Sequence, residues 1–176
     1  MHAVKVAPLV APSLTTERLQ LRMLQDADFE EYAAIHMDAE VTKYTVRTQL
    51  TRMEAWRHLA MIVGHWHLRG FGMWGVFEKS TGALVGRVGF HQPDGWPDFE
   101  LGWTIGRNWW GKGYATEAAK RCVEFAFNEM DRDRLISLID PENVASIHVA
   151  ERIGETLQGE HQLGEHRLLV FSLSRA

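Results

Sequence analysis

From Phe99 to Ala119 the chain reads F-E-L-G-W-T-I-G-R-N-W-W-G-K-G-Y-A-T-E-A-A. A strand-like run ends in a glycine-rich turn, and the turn feeds an amphipathic helix. That layout makes an anion cradle. Backbone N–H groups of the turn and the unpaired N–H groups of the helix's first turn converge on one spot and favour negative charge there. Gly111 and Gly113 let the main chain come close to a ligand with no Cβ in the way. A phosphorylated ligand is expected, and its identity decides the function.

Working outward, Tyr114–Met130 is the clearest helix. Its residues Ala115, Ala118, Ala119, Cys122, Val123, Ala126, Phe127 and Met130 follow helical spacing. Before the cradle, Leu19–Leu24 alternates as a half-buried strand, and Asp26–Met37 reads as a helix. Thr51 caps a second helix, with Met53, Trp56, Ala60, Val63 and Trp66 as its apolar row and Arg69-Gly70 as its end. Gly72–Glu78 and Ala83–His91 flank K-S-T-G as a hairpin, and Asp98–Ile105 is the strand into the cradle. After it, Arg134–Ile139 is a strand and Asn143–Ile153 a helix stopped by Gly154. Leu157–Leu163 and Arg167–Ser174 are closing strands. The order β-α-α-β-β-β-α-β-α-β-β predicts an α/β (α+β) fold, a mixed sheet flanked by helices.

Two ligands suit the cradle. Counted from Gly106, G-R-N-W-W-G-K-G nearly fits a nucleoside-triphosphate loop, but Gly113 stands where a Ser or Thr hydroxyl should hold Mg²⁺. The other ligand needs only backbone donors. W-G-K-G-Y-A followed by T-E-A-A resembles the pyrophosphate loop of the GNAT N-acetyltransferase superfamily, nearest to its RimJ/RimL-type branch of ribosomal-protein N-terminal acetyltransferases. T-E-R-L-Q-L-R at Thr16–Arg22 resembles the family's first strand, Phe71–Phe90 its central hairpin, and D-P-E-N-V-A-S-I-H-V-A-E-R-I-G at Asp140–Gly154 the segment beside the pantetheine arm. Asn108 stands where the wider superfamily often has Gln or Arg. The aromatic-Trp pair that follows is common in the RimJ/RimL-like branch.

The resemblance implies a mostly antiparallel central sheet and acetyl-CoA as co-substrate, with no metal. It implies cofactor contacts from Trp103, Thr104 and Ile105, from Trp110, Gly111, Lys112, Gly113, Tyr114 and Ala115, and from Asn143. Main-chain N–H groups around Trp103–Ile105 would polarise the carbonyl and bind the pantetheine amides as an added strand would. Lys112 either sits near phosphate or points to solvent. Glu100 is the favoured general base, with His91 the second candidate and a solvated or ion-paired Glu the plain alternative. The superfamily's usual Tyr acid falls on Ala150, which leaves Ser146 as candidate donor to sulfur. Capping of the following helix is the plain alternative for both Asn143 and Ser146.

Size and composition agree with one domain over 16–176 behind a flexible lead-in at 1–15. The chain has 176 residues, 45% of them hydrophobic and 24% charged. Its net charge of −4, with no basic block, argues against nucleic acid. No apolar run reaches the length of a membrane span. One cysteine, Cys122, suits a core position and a reducing cytoplasm. Nine histidines show no metal-ligand spacing. Trp96, in H-Q-P-D-G-W-P-D, either packs its loop or lines an acceptor pocket, and Tyr44-Thr45 falls where the family's acceptor cleft lies. The expected acceptor is an amine, either a protein N-terminus or a small molecule. A homodimer stays open, as does a non-catalytic acyl-CoA-binding domain of the same fold.

Overall fold

A computed structural model describes residues 11–175; residues 1–10 of the lead-in lie outside it. The chain runs β1 (Leu14–Thr15), β2 (Leu19–Arg22), a 3-10 turn (Asp26–Asp28), α1 (Phe29–His36), α2 (Ala39–Thr42), α3 (Arg52–Arg69), β3 (Met73–Glu78), β4 (Leu84–His91) and β5 (Glu100–Ile105). A second 3-10 turn (Arg107–Trp109) leads to α4 (Tyr114–Asn128), β6 (Arg134–Ile139), α5 (Val144–Ile153), β7 (Thr156–Leu163) and β8 (His166–Ser174). The described strands form one sheet in the order β1-β2-β3-β4-β5-β6-β8-β7. Every pairing is antiparallel except that of β5 with β6. The mixed, mostly antiparallel architecture read from the sequence is the one found. The sheet begins before Thr16, because Leu14 is buried and the Trp74 indole donates to the Pro12 carbonyl at 2.7 Å.

The β5–β6 pairing positions the site. These strands are in register only at Glu100 and Ile136, where the Ile136 N–H donates to the Phe99 carbonyl at 3.1 Å. Beyond that point they part. On their outer sides both are held fully, β5 by β4 and β6 by β8. The sheet therefore opens into a cleft in its middle.

Helix α4 packs Ala118, Ala119, Cys122, Phe125 and Ala126 against Leu19, Leu21, Trp74, Val88 and Phe90 on one face of the sheet. Cys122 is fully buried there, and burial pushes its thiol far above the usual range. The other face carries α1 and α3, whose Tyr32, Ile35, Leu59 and Ile62 pack on Met73, Phe77 and Leu84. Thr51 caps α3 through a capping box with Glu54, and Gly70 ends it in the left-handed region at φ 76°. The apolar row of α3 differs from the one expected. Ala55, Leu59, Ile62 and Trp66 are buried, whereas Trp56 is 50% and Met53 60% exposed. Two adjacent rows of this helix are apolar, so spacing alone cannot say which faces the core.

Candidate active site

The cradle is built by backbone conformation. Gly111 and Gly113 have φ of 76° and 79°, the left-handed region that residues with a Cβ avoid. Their turn aims the Gly111, Lys112 and Gly113 amides away from any main-chain acceptor among the described residues. The first N–H groups of α4 add to them. The turn is braced from behind. The Glu117 carboxylate accepts from Thr16 Oγ1 at 2.5 Å and from Arg18 N and Nε at 3.0 and 2.7 Å. Arg18 also donates from Nη1 to the Lys112 carbonyl at 3.0 Å. The Tyr114 side chain turns inward to Glu78, so only its main chain serves the cradle. The Lys112 ammonium lies 4.3 Å above the Trp109 ring. The Trp110 indole donates to the Ile105 carbonyl at 2.7 Å, fastening the turn to the end of β5.

A groove of about 610 Å³ runs from this cradle between β5 and α5, past Tyr44, Thr45, Trp103, Ile105, Asn143 and Ser146. A hollow of about 480 Å³ opens on the α1–α3 side, bounded by His58, Met73, Arg87, His91, Trp96 and Glu100. The two meet at Tyr44, Trp103, Asn143 and Ser146, which line both. Along β5 the main chain alternates. Phe99 and Leu101 turn their carbonyls to β6, while the Gly106 N–H turns to Val85 on β4. Trp103 thus presents its N–H and C=O to the parted strands, and Ile105 its N–H, the Ile105 carbonyl being taken by the Trp110 indole. Thr104 lines both cavities, but alternation turns its main chain to β4, opposite Arg87, and its buried hydroxyl has no partner among the described residues.

Glu100 stands at the point where β5 and β6 part. Its carboxyl accepts from Trp96 Nε1 at 2.6 Å and from the Leu138 N–H. Burial raises it to about 7; the two hydrogen bonds and the Arg87 charge pull the other way without winning. His91 faces it across the β4–β5 register and packs between His65 and Trp96. Burial, then the charges of His65 and Arg87, lower its imidazole to about 4, which leaves a weak base. Asn143 caps α5 by accepting from the Ser146 N–H at 3.2 Å. Ser146 Oγ accepts from the Trp103 indole at 3.2 Å, so its own proton is free to point into the cleft. Ala150 is fully buried against Ile139 and Phe171 and lines neither the groove nor the hollow.

Three features go beyond the sequence reading, in which Trp96 is only a loop-packing or pocket-lining residue and Arg47 and Arg87 do not figure. Trp96 holds the Glu100 carboxyl as well as lining the hollow. Arg47, in the left-handed region at φ 59°, pairs with Asp140 at 2.8 Å and ties the loop after α2 to the end of β6. Arg87, 7% exposed, stands in the hollow inside the run L-V-G-R-V-G-F-H. A charge within an otherwise buried strand was the signal for it.

A parted parallel strand pair, an amide cradle at a helix N-terminus and a cleft crossing the sheet define an acyl-CoA transferase architecture. The Acetyltransferase (GNAT) domain model matches residues 18–156, and the chain belongs to this family. It is 30% identical over 169 residues to the uncharacterized N-acetyltransferase p20 of Bacillus licheniformis, covering 92% of this chain and 95% of that one. An acetyltransferase from Agrobacterium tumefaciens superposes with a TM-score of 0.85 at 30% identity, covering 98% of this chain and all of the other. A putative ribosomal-protein-serine acetyltransferase from Vibrio cholerae does so with 0.77 at 27%, covering 93% and 97%. The likeness to the RimJ/RimL-type branch holds. Acetyl-CoA is the family's co-substrate, and the open amides beside two glycines with no Cβ fit its pyrophosphate. Among the described residues no group of three or more His, Cys, Asp or Glu could hold a metal ion, and no helix is long and apolar enough to cross a membrane.

Proposed function

We propose that the protein transfers acetyl from acetyl-CoA to an amine by direct attack, with Glu100 as general base. One observation carries this reading: a buried carboxyl near neutrality in the hollow that adjoins the cofactor groove. Acetyl-CoA supplies an activated thioester, so no acyl-enzyme is needed. A base with a pKa near the working pH is half ionised yet still strong enough to take an amine proton. Glu100 takes that proton, directly or through one water. The cradle amides and the Lys112 charge hold the pyrophosphate. The Trp103 and Ile105 main chain binds the pantetheine amides, and an N–H of this stretch polarises the carbonyl. Asn143 supports the arm. Ser146 donates a hydrogen bond to the sulfur, where the superfamily's usual Tyr is replaced by Ala150.

The acceptor is the α-amine of a protein N-terminus or a small-molecule amine. The buried, unpaired Cys122 suits work in a reducing cytoplasm. The experiment is thiol release from acetyl-CoA across a panel of amines and short peptides. Turnover that falls about 10²–10⁴-fold in Glu100→Gln supports the reading. Tight CoA binding without turnover on any amine would favour an acyl-CoA-binding domain instead.

A further inference from the structure

In the hollow, Arg87 is a buried cation with no ion-pair partner among the described residues. Its Nε donates to His36 Nε2 at 3.3 Å, and its Nη1 meets the Met73 sulfur. Nη2 makes no bond to any described residue and is not sealed off. Of the unpaired titratable groups around it, only Glu100 carries negative charge near neutrality, about half ionised at pH 7. His36 Nδ1 donates to the Tyr32 carbonyl, which leaves Nε2 as an uncharged acceptor, and burial keeps that ring well below its usual value. Burial, then the Arg87 charge, lowers His58 to about 3, while burial raises Tyr32 to about 12. His91 and Glu100 complete the set, lowered and raised in the same way. Arg47 and Asp140, the other charges of the hollow, satisfy each other.

Two strand positions beside Arg87 carry no side chain of their own, and Met73 covers part of the floor there. On β4 and β5, Arg87 faces Thr104, Gly89 faces Gly102, and His91 faces Glu100. The two glycines lie between the cation and the base. A Cβ on Gly102 would come within 2.9 Å of Met73 Cε and 3.8 Å of Glu100 Oε1. Arg87 and His91 are four residues apart on their strand, about 13 Å. The hollow thus offers a fixed cation at one end, a carboxyl at the other and space between them.

We infer that the acceptor is an amine that also carries a carboxylate, and that Arg87 is the residue that reads the carboxylate. A buried guanidinium without an ion-pair partner gains from an anion, and its planar donors match a carboxylate. The amine end then lies beside Glu100, in the hollow that adjoins the cofactor groove. A polyamine would bring cations against Arg87, and a peptide N-terminus without an acidic neighbour would leave it unpaired. This assignment rests on the acetyltransferase reading and selects within it.

The test uses matched acceptors on the wild-type protein: L-leucine against L-leucinamide, and 4-aminobutyrate against 4-aminobutanamide, with spermidine as the cationic arm. Affinity is read by calorimetry on the CoA-loaded protein, and kcat/KM by thiol release. At least one carboxylate is expected to exceed its amide tenfold or more in both readouts, spermidine to be poorest, and Arg87→Gln to level the pair. Amides or spermidine binding as well as the carboxylates would overturn the inference, whether or not Arg87→Gln folds. Neutral amines turned over best would sink it while leaving the acetyltransferase reading intact. Carboxylate-selective binding with no turnover of any amine would sustain the role of Arg87 and defeat the catalytic reading.

Discussion

Replacing Glu100 by Gln separates catalysis from stability, because the two should move in opposite directions. Burial raises the carboxyl from 4.5 to about 7. The folded state therefore binds a proton more tightly than the unfolded chain does. Stability is unaffected below about pH 4.5, falls as pH rises toward 7 and stays lowered above it, by about 3 kcal/mol. The amide removes that penalty but turns one NH₂ edge toward a donor, Trp96 Nε1 or the Leu138 N–H, which gives back about 1 kcal/mol. The net gain at pH 8 is about 2 kcal/mol, or roughly 4–8 °C in Tm for a domain of this size. At pH 4 that penalty is absent and only the cost of the misdirected NH₂ remains, so the variant should be about 1 kcal/mol less stable than wild type there. Meanwhile kcat/KM should drop about 10²–10⁴-fold, and the wild-type rise in rate with a midpoint near pH 7 should disappear. The assays are thermal unfolding at both pH values and a pH profile of thiol release with one good amine. A variant that keeps the pH profile within tenfold of the wild-type rate refutes the base. One that is less stable than wild type at pH 8 refutes the desolvation argument.

Gly113→Val should weaken CoA binding about tenfold or more by calorimetry, because it forces a Cβ into a φ of 79° within the cradle. Glu117→Ala should raise KM for acetyl-CoA about five- to tenfold with little change in kcat, since it releases Arg18 and with it the Lys112 carbonyl. Ser146→Ala should lower kcat about 10²-fold in steady-state assays, the low end of general-acid effects, because a coenzyme A thiolate leaves tolerably well unaided. Leu135→Ala, at a fully buried site on β6, should lower stability by about 2–5 kcal/mol in denaturant titrations.

Much of this fold could be read directly from the residues. Helix α4 has one apolar stripe and a polar remainder, so its period is unambiguous. Turn signals at Gly82, Gly113 and Gly154 fall where the backbone takes positive φ. Helix α3 was misphased because its sequence is apolar on two adjacent rows, and only the sheet beneath selects Leu59 and Ile62 over Met53 and Trp56. The four-residue α2 is too short to leave a period. In the site, the cradle was legible because backbone geometry writes itself in glycine. Thr104 was not separable from Trp103 and Ile105, since strand alternation relative to a neighbour appears only when the pairing is known.

Glu100 was suggested by its place in the family pattern, but the burial that raises its carboxyl, and the groups that pull it back, come from distant parts of the chain. Trp96 reaches it from a loop, the Leu138 N–H from another strand, and Arg87 from across the hollow. Glu155 adds a further long-range link. Burial raises it to about 8, so its protonated carboxyl can donate to Ser137 Oγ at 3.0 Å, and Ser137 donates to the Leu101 carbonyl at 2.7 Å. That chain stitches β6 to β5 just where they begin to part. Such a network joins residues tens of positions apart, and no local spacing encodes it.

The most direct test is thermal unfolding of the protein with acetyl-CoA, CoA and Mg·ATP in parallel. At a ligand concentration about 100 times Kd, specific binding adds about 2.7 kcal/mol, or roughly 5–10 °C in Tm. A cradle for acetyl-CoA predicts that shift with both coenzyme A compounds, its loss in Gly113→Val, and none with Mg·ATP. A shift with Mg·ATP alone would contradict the assignment of the loop and the function built on it.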